Sequence, residues 1–221
     1  MRLKNVIFDM DGTLVDSLPG IEYAVDCALS TRNYPPRACE LKPLIGPPIR
    51  TTLRLISGES VPEALDGLEG AFRKAYDAEG WKRTALQEKA RETLGWLVAT
   101  ERSLFVVTNK PQHATRRIME HLGLFDLFST VLSPDCRFPQ YHSKAEMVRD
   151  LMTTGRIDST NSLFVGDTRE DFEAAAVVGM PSVILTSGYG GICTPPHCDS
   201  CYTVWGLSDL KSLLQSSFGG N

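Results

Sequence analysis

Hydrophobic positions along the chain gather first into short, nearly unbroken runs. Five stand out: LKNVIFD at 3–9, SLFVVTN at 103–109, FSTVLS at 128–133, SLFVGD at 162–167 and PSVILT at 181–186. Short runs with apolar residues at consecutive positions predict strands covered on both faces of a parallel sheet. Between the later runs the apolar spacing lengthens to a helical one. The segment 111–124 places Pro111 at a first helical position and ends at Gly123. The segment 143–155 opens with Ser143 and Glu146 at capping-box spacing and closes at Gly155. The segment 168–179 opens with Thr168 and Asp171 and closes at Gly179. Strand and helix alternate, which predicts an α/β fold with a doubly wound, Rossmann-like parallel sheet.

One stretch breaks this rhythm. Between Ser17 and about Gly80 no strand pattern occurs. Three amphipathic segments at 18–31, 47–57 and 62–80 read instead as helices, separated by Pro and Gly breaks. The expected organisation is an α/β core from 1–16 and 81–221, with a small all-helical cap from 17–80. No internal repeat or low-complexity tract interrupts either part.

Bulk properties narrow the partners. A formal charge of −4 gives no electrostatic reason to expect nucleic acid or an anionic membrane. No apolar run approaches the ~20 residues of a bilayer span, and the N-terminal apolar run is too short for a signal peptide. A cytoplasmic protein is expected, and six cysteines then read as thiols rather than disulfides. Cys193, His197, Cys198 and Cys201 lie close together, but without the paired spacing of a zinc site they read as a loop of incidental thiols.

Candidate chemistry follows from the strand ends. Ligands of an open parallel sheet bind beyond the carboxyl ends of its strands. The first run ends in Asp9, followed by Asp11 and Gly12; the second ends in Thr108 and Asn109. Lys144 begins a helix after the third, and the fourth ends in Asp167 with Asp171 four residues on. Carboxylates crowded together repel and raise one another's pKa values, a conflict that a divalent cation removes. Few hard oxygen ligands favour Mg²⁺ over Zn²⁺. Thr108, Asn109 and Lys144 supply donors and positive charge opposite the metal, as a phosphate site requires. Asp9 has no adjacent histidine or cysteine and is itself the candidate nucleophile, while Asp11 handles the leaving-group proton. Gly12 permits the tight turn and a close backbone approach. None of the four histidines has a triad-like partner in the sequence, and Arg50 reads as an ordinary structural or surface arginine rather than a substrate contact.

Taken together, DMDGT at 9–13, VVTNK at 106–110, Lys144 in HSKAEM and GDTRED at 166–171 resemble the four ordered motifs of the haloacid dehalogenase superfamily. The likeness spans almost the whole chain. It is closest to the phosphoglycolate-phosphatase-like branch, whose helical cap follows the first motif, and IGPPI at 45–49 and VTNKP at 107–111 strengthen that assignment. The resemblance implies Asp9 as nucleophile and Mg²⁺ ligand, and Asp11 as general acid/base and ligand through its backbone carbonyl. It implies Thr108 and Asn109 as holders of the phosphoryl group, and Lys144 as its counter-charge. Asp167 is then a direct metal ligand, and Asp171 a ligand directly or through water. Asp11 argues for phosphoryl chemistry, because dehalogenases of the superfamily lack that second aspartate. The chain departs from many relatives in carrying Lys144 without the usual Gly-Lys-Pro run. The expectation is a Mg²⁺-dependent phosphatase acting on a small phosphorylated metabolite, as a monomer or homodimer. A phosphomutase of the beta-phosphoglucomutase type and a catalytically silent regulatory relative are the alternatives.

Overall fold

The computed structural model describes residues 3–190 and 200–218. In chain order the first elements are β1 (Asn5–Phe8), β2 (Val15–Asp16), α1 (Leu18–Thr31), α2 (Ile49–Ser57), α3 (Pro62–Ala78) and β3 (Ala85–Leu86). Then come α4 (Ala90–Ala99), β4 (Ser103–Val107), α5 (Gln112–His121), β5 (Thr130–Leu132) and α6 (Lys144–Thr154). The last are β6 (Ser162–Gly166), α7 (Arg169–Ala176), β7 (Ser182–Leu185), β8 (Cys201–Val204) and α8 (Leu207–Ser217). Two compact units result, Met1–Val15 with Leu86–Asn221, and Asp16–Ala85.

In the first unit, six parallel strands lie in the order β5-β4-β1-β6-β7-β8. The chain works outward from β1 in one direction and then returns to lay β6 on its other side. The strand order therefore reverses between β1 and β6, the topological switch point of a doubly wound sheet. Register places Phe8 opposite Val106 and Val165, so the residues that follow β1, β4 and β6 emerge at one edge. Ile7, Phe105, Val107 and Phe164 pack with Met147, Val148, Leu151, Ala174 and Ala175 into a core shared with α6 and α7. All four residues of β1 are buried, which is why its sequence shows no alternation.

The sheet has a strand that the apolar runs do not mark. β8 is four residues long, its side chains mostly half-exposed, and it carries no apolar run. α4 and α8 were likewise unmarked; they pack on one another, with Thr93 Oγ1 donating to Leu207 O at 3.1 Å. Pro111 stands at the N-cap of α5, one residue outside the predicted first helical position. Ser143 Oγ accepts from Glu146 N, but the Glu146 carboxylate turns to His142 N and Arg137, so the box at α6 is half made. Of the cysteine cluster, Cys193, His197 and Cys198 lie outside the described residues.

The second unit is helical. α1 packs against α3 through Ile21, Ala24, Val25, Ala28 and Leu29 on one side and Leu65, Leu68, Phe72 and Tyr76 on the other. Arg50 donates to Asp66 at 2.5 Å, Glu69 at 3.2 Å and the carbonyl of Pro62, which ties α2 to α3. Its guanidinium is therefore a structural tie within this unit. Among the described residues no helix is long and apolar enough to cross a membrane.

Candidate active site

Asp9 follows β1, and its amide donates to Val165 O at 2.9 Å, so the strand pairing with β6 continues through it. The chain then turns sharply. Met10 O accepts from Leu14 N and Val15 N, and Gly12 adopts a φ of +86° that side-chain-bearing residues rarely take. A Cβ at Gly12 would stand 2.3 Å from Asp167 Oδ2. The turn thus requires glycine twice over, for its backbone angle and for the approach of Asp167.

Asp167 follows β6, beside Asp9 across the switch point. Its carboxylate accepts from Thr13 Oγ1 at 3.0 Å and from Tyr189 N at 2.6 Å. Asp171 sits in the first turn of α7. One of its oxygens, Oδ2, completes the capping box with Thr168, accepting from Thr168 N at 2.9 Å and from Asp167 N at 3.1 Å. The other, Oδ1, accepts from Lys144 Nζ at 2.6 Å, and Lys144 reaches Asp9 Oδ1 at 2.9 Å. Capping and site geometry therefore use different oxygens of one side chain.

Among the described residues, Asp9, Asp167 and Asp171 form the one group of three or more Asp, Glu, His or Cys side chains able to share a cation, their ligand atoms within 4.8 Å of one another. All three are buried, as is Lys144. Burial pushes the Asp9 carboxyl well above the ordinary range; Lys144 opposes this, while Asp171 and Asp167 reinforce it. Burial, reinforced by the Asp171 charge, pushes Asp167 up to about 7 against the hydrogen bonds from Tyr189 and Thr13. For Lys144, burial alone would lower the value, but Asp171 and Asp9 outweigh it and hold the ammonium above its ordinary range. Three carboxylates facing one buried ammonium are left short of positive charge when ionised. The shortage and the hard oxygen donors suit Mg²⁺.

The remaining predicted residues fall in two places. Thr108 is buried beyond β4, its Oγ1 accepting from Lys110 N at 3.2 Å. Asn109 turns its amide to Glu170 Oε2 at 2.8 Å. Asp11 stands outside the three-acid group, and both its carboxylate oxygens accept from Lys110 Nζ at 3.1 Å. Beyond the predicted residues, the site also holds Thr13, Glu170, Lys110 and the Tyr189 amide. Lys110 sits within VTNKP and could have been suspected as the cation nearest a strand end; a backbone amide has no side-chain signature at all.

A family model described as haloacid dehalogenase-like hydrolase matches residues 6–185, most of the chain and every residue of this site except Tyr189. The chain belongs to the haloacid dehalogenase-like hydrolases. Among its relatives, a phosphoglycolate phosphatase of Salmonella typhi is 35% identical over 212 residues, covering 85% of this chain and 83% of the relative. Another, from Pseudomonas putida, is 31% identical and covers 95% of this chain and 78% of its own length. A crystal structure described as a predicted phosphoglycolate phosphatase from Haemophilus somnus 129PT superposes with a TM-score of 0.85 at 26% identity, covering 97% of this chain and 99% of that one. The parallel sheet with flanking helices is the fold of that family.

The crowding has a measurable consequence. A carboxyl raised in the folded state binds its proton more tightly there than when unfolded. The metal-free protein therefore loses stability as pH rises from about 4, the unfolded value, through about 7, the folded value of Asp167. Asp9 acts in the same direction. A cation bound by ionised carboxylates competes with those protons. The rise in unfolding temperature on adding Mg²⁺ is accordingly expected to be larger at pH 7.5 than at pH 5.5, roughly by the several degrees that 1–2 kcal/mol produces. Thermal unfolding in EDTA and in Mg²⁺ at both pH values measures it, and an equal shift at both would contradict the crowding.

Proposed function

We propose that the chain is a Mg²⁺-dependent phosphoric monoester hydrolase, phosphoglycolate-phosphatase-like in its substrate, working through an aspartyl-phosphate on Asp9. The observation that carries this reading is the meeting of Asp9, Asp167 and Asp171 around one edge of the sheet with Lys144 between them, while Asp11, two residues from Asp9, faces another way. The phosphatase relatives support the substrate class.

Asp9, Asp167, Asp171 and the backbone carbonyl of Asp11 would hold the cation, Asp171 directly or through water. Bound there, Mg²⁺ supplies positive charge to the carboxylates and to the phosphoryl oxygens. Lys144 places an ammonium against the nucleophile, and Thr108 with Asn109 offers donors to the phosphoryl group once Asn109 leaves Glu170. An oxygen of the Asp9 carboxylate attacks phosphorus as the ester P–O bond breaks. Asp11 gives its proton to the departing alkoxide, which leaves as the alcohol. In the second half, water attacks the same phosphorus and passes its proton to Asp11. The P–O bond to Asp9 breaks, and inorganic phosphate and the free Asp9 carboxylate result. The helical unit Asp16–Ala85, inserted in the chain just after Asp9 and Asp11, is assigned as the substrate-selecting cap.

Release of inorganic phosphate across a panel of phosphorylated metabolites, with Mg²⁺ and with EDTA, tests the reading. Metal-dependent release from 2-phosphoglycolate or another small monoester is the expected result, with an EDTA rate at least ~10²-fold lower. Isomerised sugar phosphate without phosphate release would make the chain a mutase, and no metal-dependent turnover on any substrate would make it catalytically silent.

A further inference from the structure

The two aspartates of the first loop belong to different charge clusters. Asp9 lies with Asp167, Asp171 and Lys144. Asp11 lies with Lys110, whose ammonium stands 3.1 Å from each carboxylate oxygen. The Lys110 side chain is only 6% exposed and the Asp11 side chain 19% exposed, so the pair is sheltered from the solvent that makes surface ion pairs weak.

Lys110 is also held at its backbone. Its amide donates to Thr108 Oγ1 at 3.2 Å, and its carbonyl accepts from Thr115 Oγ1 at 3.2 Å, one turn into α5. Pro111 follows as the N-cap of that helix, with its φ fixed by the ring. A long side chain that is nearly enclosed and anchored at its base reaches a carboxylate 99 residues away in sequence. A flexible lysine would lose side-chain entropy in making this contact; an enclosed one has already lost it.

We propose that Lys110 is a positioning residue for Asp11. Its contact with both oxygens sets the orientation of the Asp11 carboxyl toward the ester oxygen and keeps that carboxyl from joining the three acids beside it. The proposal rests on the phosphatase reading, in which Asp11 donates a proton in the first half-reaction and accepts one in the second. Lys110 takes no part in bond making. Drawn into the cluster as a fourth carboxylate, Asp11 would no longer reach the leaving oxygen, and that displacement is what the lysine prevents.

The test separates positioning from phosphate binding by the leaving group. In a mechanism with a covalent intermediate, kcat/KM reports only the steps through loss of the alcohol. An alkoxide needs the Asp11 proton, whereas p-nitrophenolate leaves without one. Lys110→Met is therefore expected to lower kcat/KM for 2-phosphoglycolate by ~10²-fold and for p-nitrophenyl phosphate by less than ~5-fold. Asp11→Asn shows the same split, and the double variant loses little beyond either single one, because both remove one function. Lys110→Arg recovers part of the alkyl-ester rate. Equal losses on both substrates would mean that Lys110 binds the phosphoryl group and would overturn the proposal, as would additive losses in the double variant. Lys110→Gln, closer in shape and polar, gives the same readout should the methionine variant fold poorly. The phosphatase reading fails separately: an absence of the split in Asp11→Asn removes the acid itself, whereas a split in Asp11→Asn that Lys110→Met lacks sinks only the lysine's role.

Discussion

Asp9→Asn is expected to lose at least ~10⁴-fold in turnover while keeping its fold, and in the absence of metal it unfolds no more easily than the parent protein above pH 7. The substitution preserves side-chain size and removes two things: the nucleophilic oxygen and one of three crowded charges. No neighbouring group replaces the nucleophile. Asp167 is committed to Thr13 and the Tyr189 amide, and Asp171 to the α7 cap and Lys144. Asp11 is held by Lys110. Stability moves the other way from most buried polar substitutions. Burial and the charges of Asp171 and Asp167 make the ionised Asp9 costly, so an amide relieves repulsion even as it weakens the Lys144 contact. Phosphate release at saturating Mg²⁺ and thermal unfolding in EDTA at pH 7.5 measure the two effects. Activity within tenfold of the parent protein would remove Asp9 as nucleophile. A variant inactive because it unfolds would instead show in the melting curve.

How far the sequence reveals this site depends on where each residue gets its geometry. Asp9 and Asp167 are legible because both end strands, and parallel strands buried on both faces announce themselves as unbroken apolar runs. Asp171 is legible because four residues after a strand end is the first turn of the next helix, where an acid caps. Lys144 stands out because a cation at a helix N-terminus needs a reason. The strand order, and hence the adjacency of Asp9 and Asp167, follows only once the sheet is doubly wound around β1. Lys110 is different. In sequence it is one more lysine in a loop: its backbone contacts with Thr108 and Thr115 are local, but the carboxylate its ammonium reaches, Asp11, lies 99 residues away. Asn109 is legible as a strand-end donor but not as a partner of Glu170. The edge strand β8 is mostly half-exposed and Thr203 breaks its apolar residues, so it lacks the unbroken run of the buried strands, and α4 has Gly95 at its middle, which weakens a helical pattern.

Lys144→Met is expected to destabilise the metal-free protein by about 3–5 kcal/mol at pH 7.5 and to lower turnover by ~10²–10³-fold at saturating Mg²⁺. The methionine fills nearly the same volume, so packing at the start of α6 changes little and the effect isolates charge. Without the ammonium, Asp9 and Asp171 lose partners at 2.9 and 2.6 Å and remain buried beside Asp167. A pair deprived of one member is worse than no pair, because the remaining charges lie away from water with nothing to offset them. The pH dependence gives the mechanism away. The carboxyls respond by binding protons more tightly, so the deficit shrinks as pH falls toward 5 and the acids neutralise. Mg²⁺ shrinks it too, by supplying the missing positive charge. Urea unfolding of both proteins in EDTA at pH 7.5 and pH 5, and again in Mg²⁺, measures each part. A deficit of the same size under all four conditions would show that the lysine contributes only its aliphatic stem. Lys144→Arg keeps the charge but not the compact ammonium that sits between two carboxylates; it is expected to retain most of the stability and less of the rate, because the planar guanidinium cannot occupy the same point between Asp9 and Asp171.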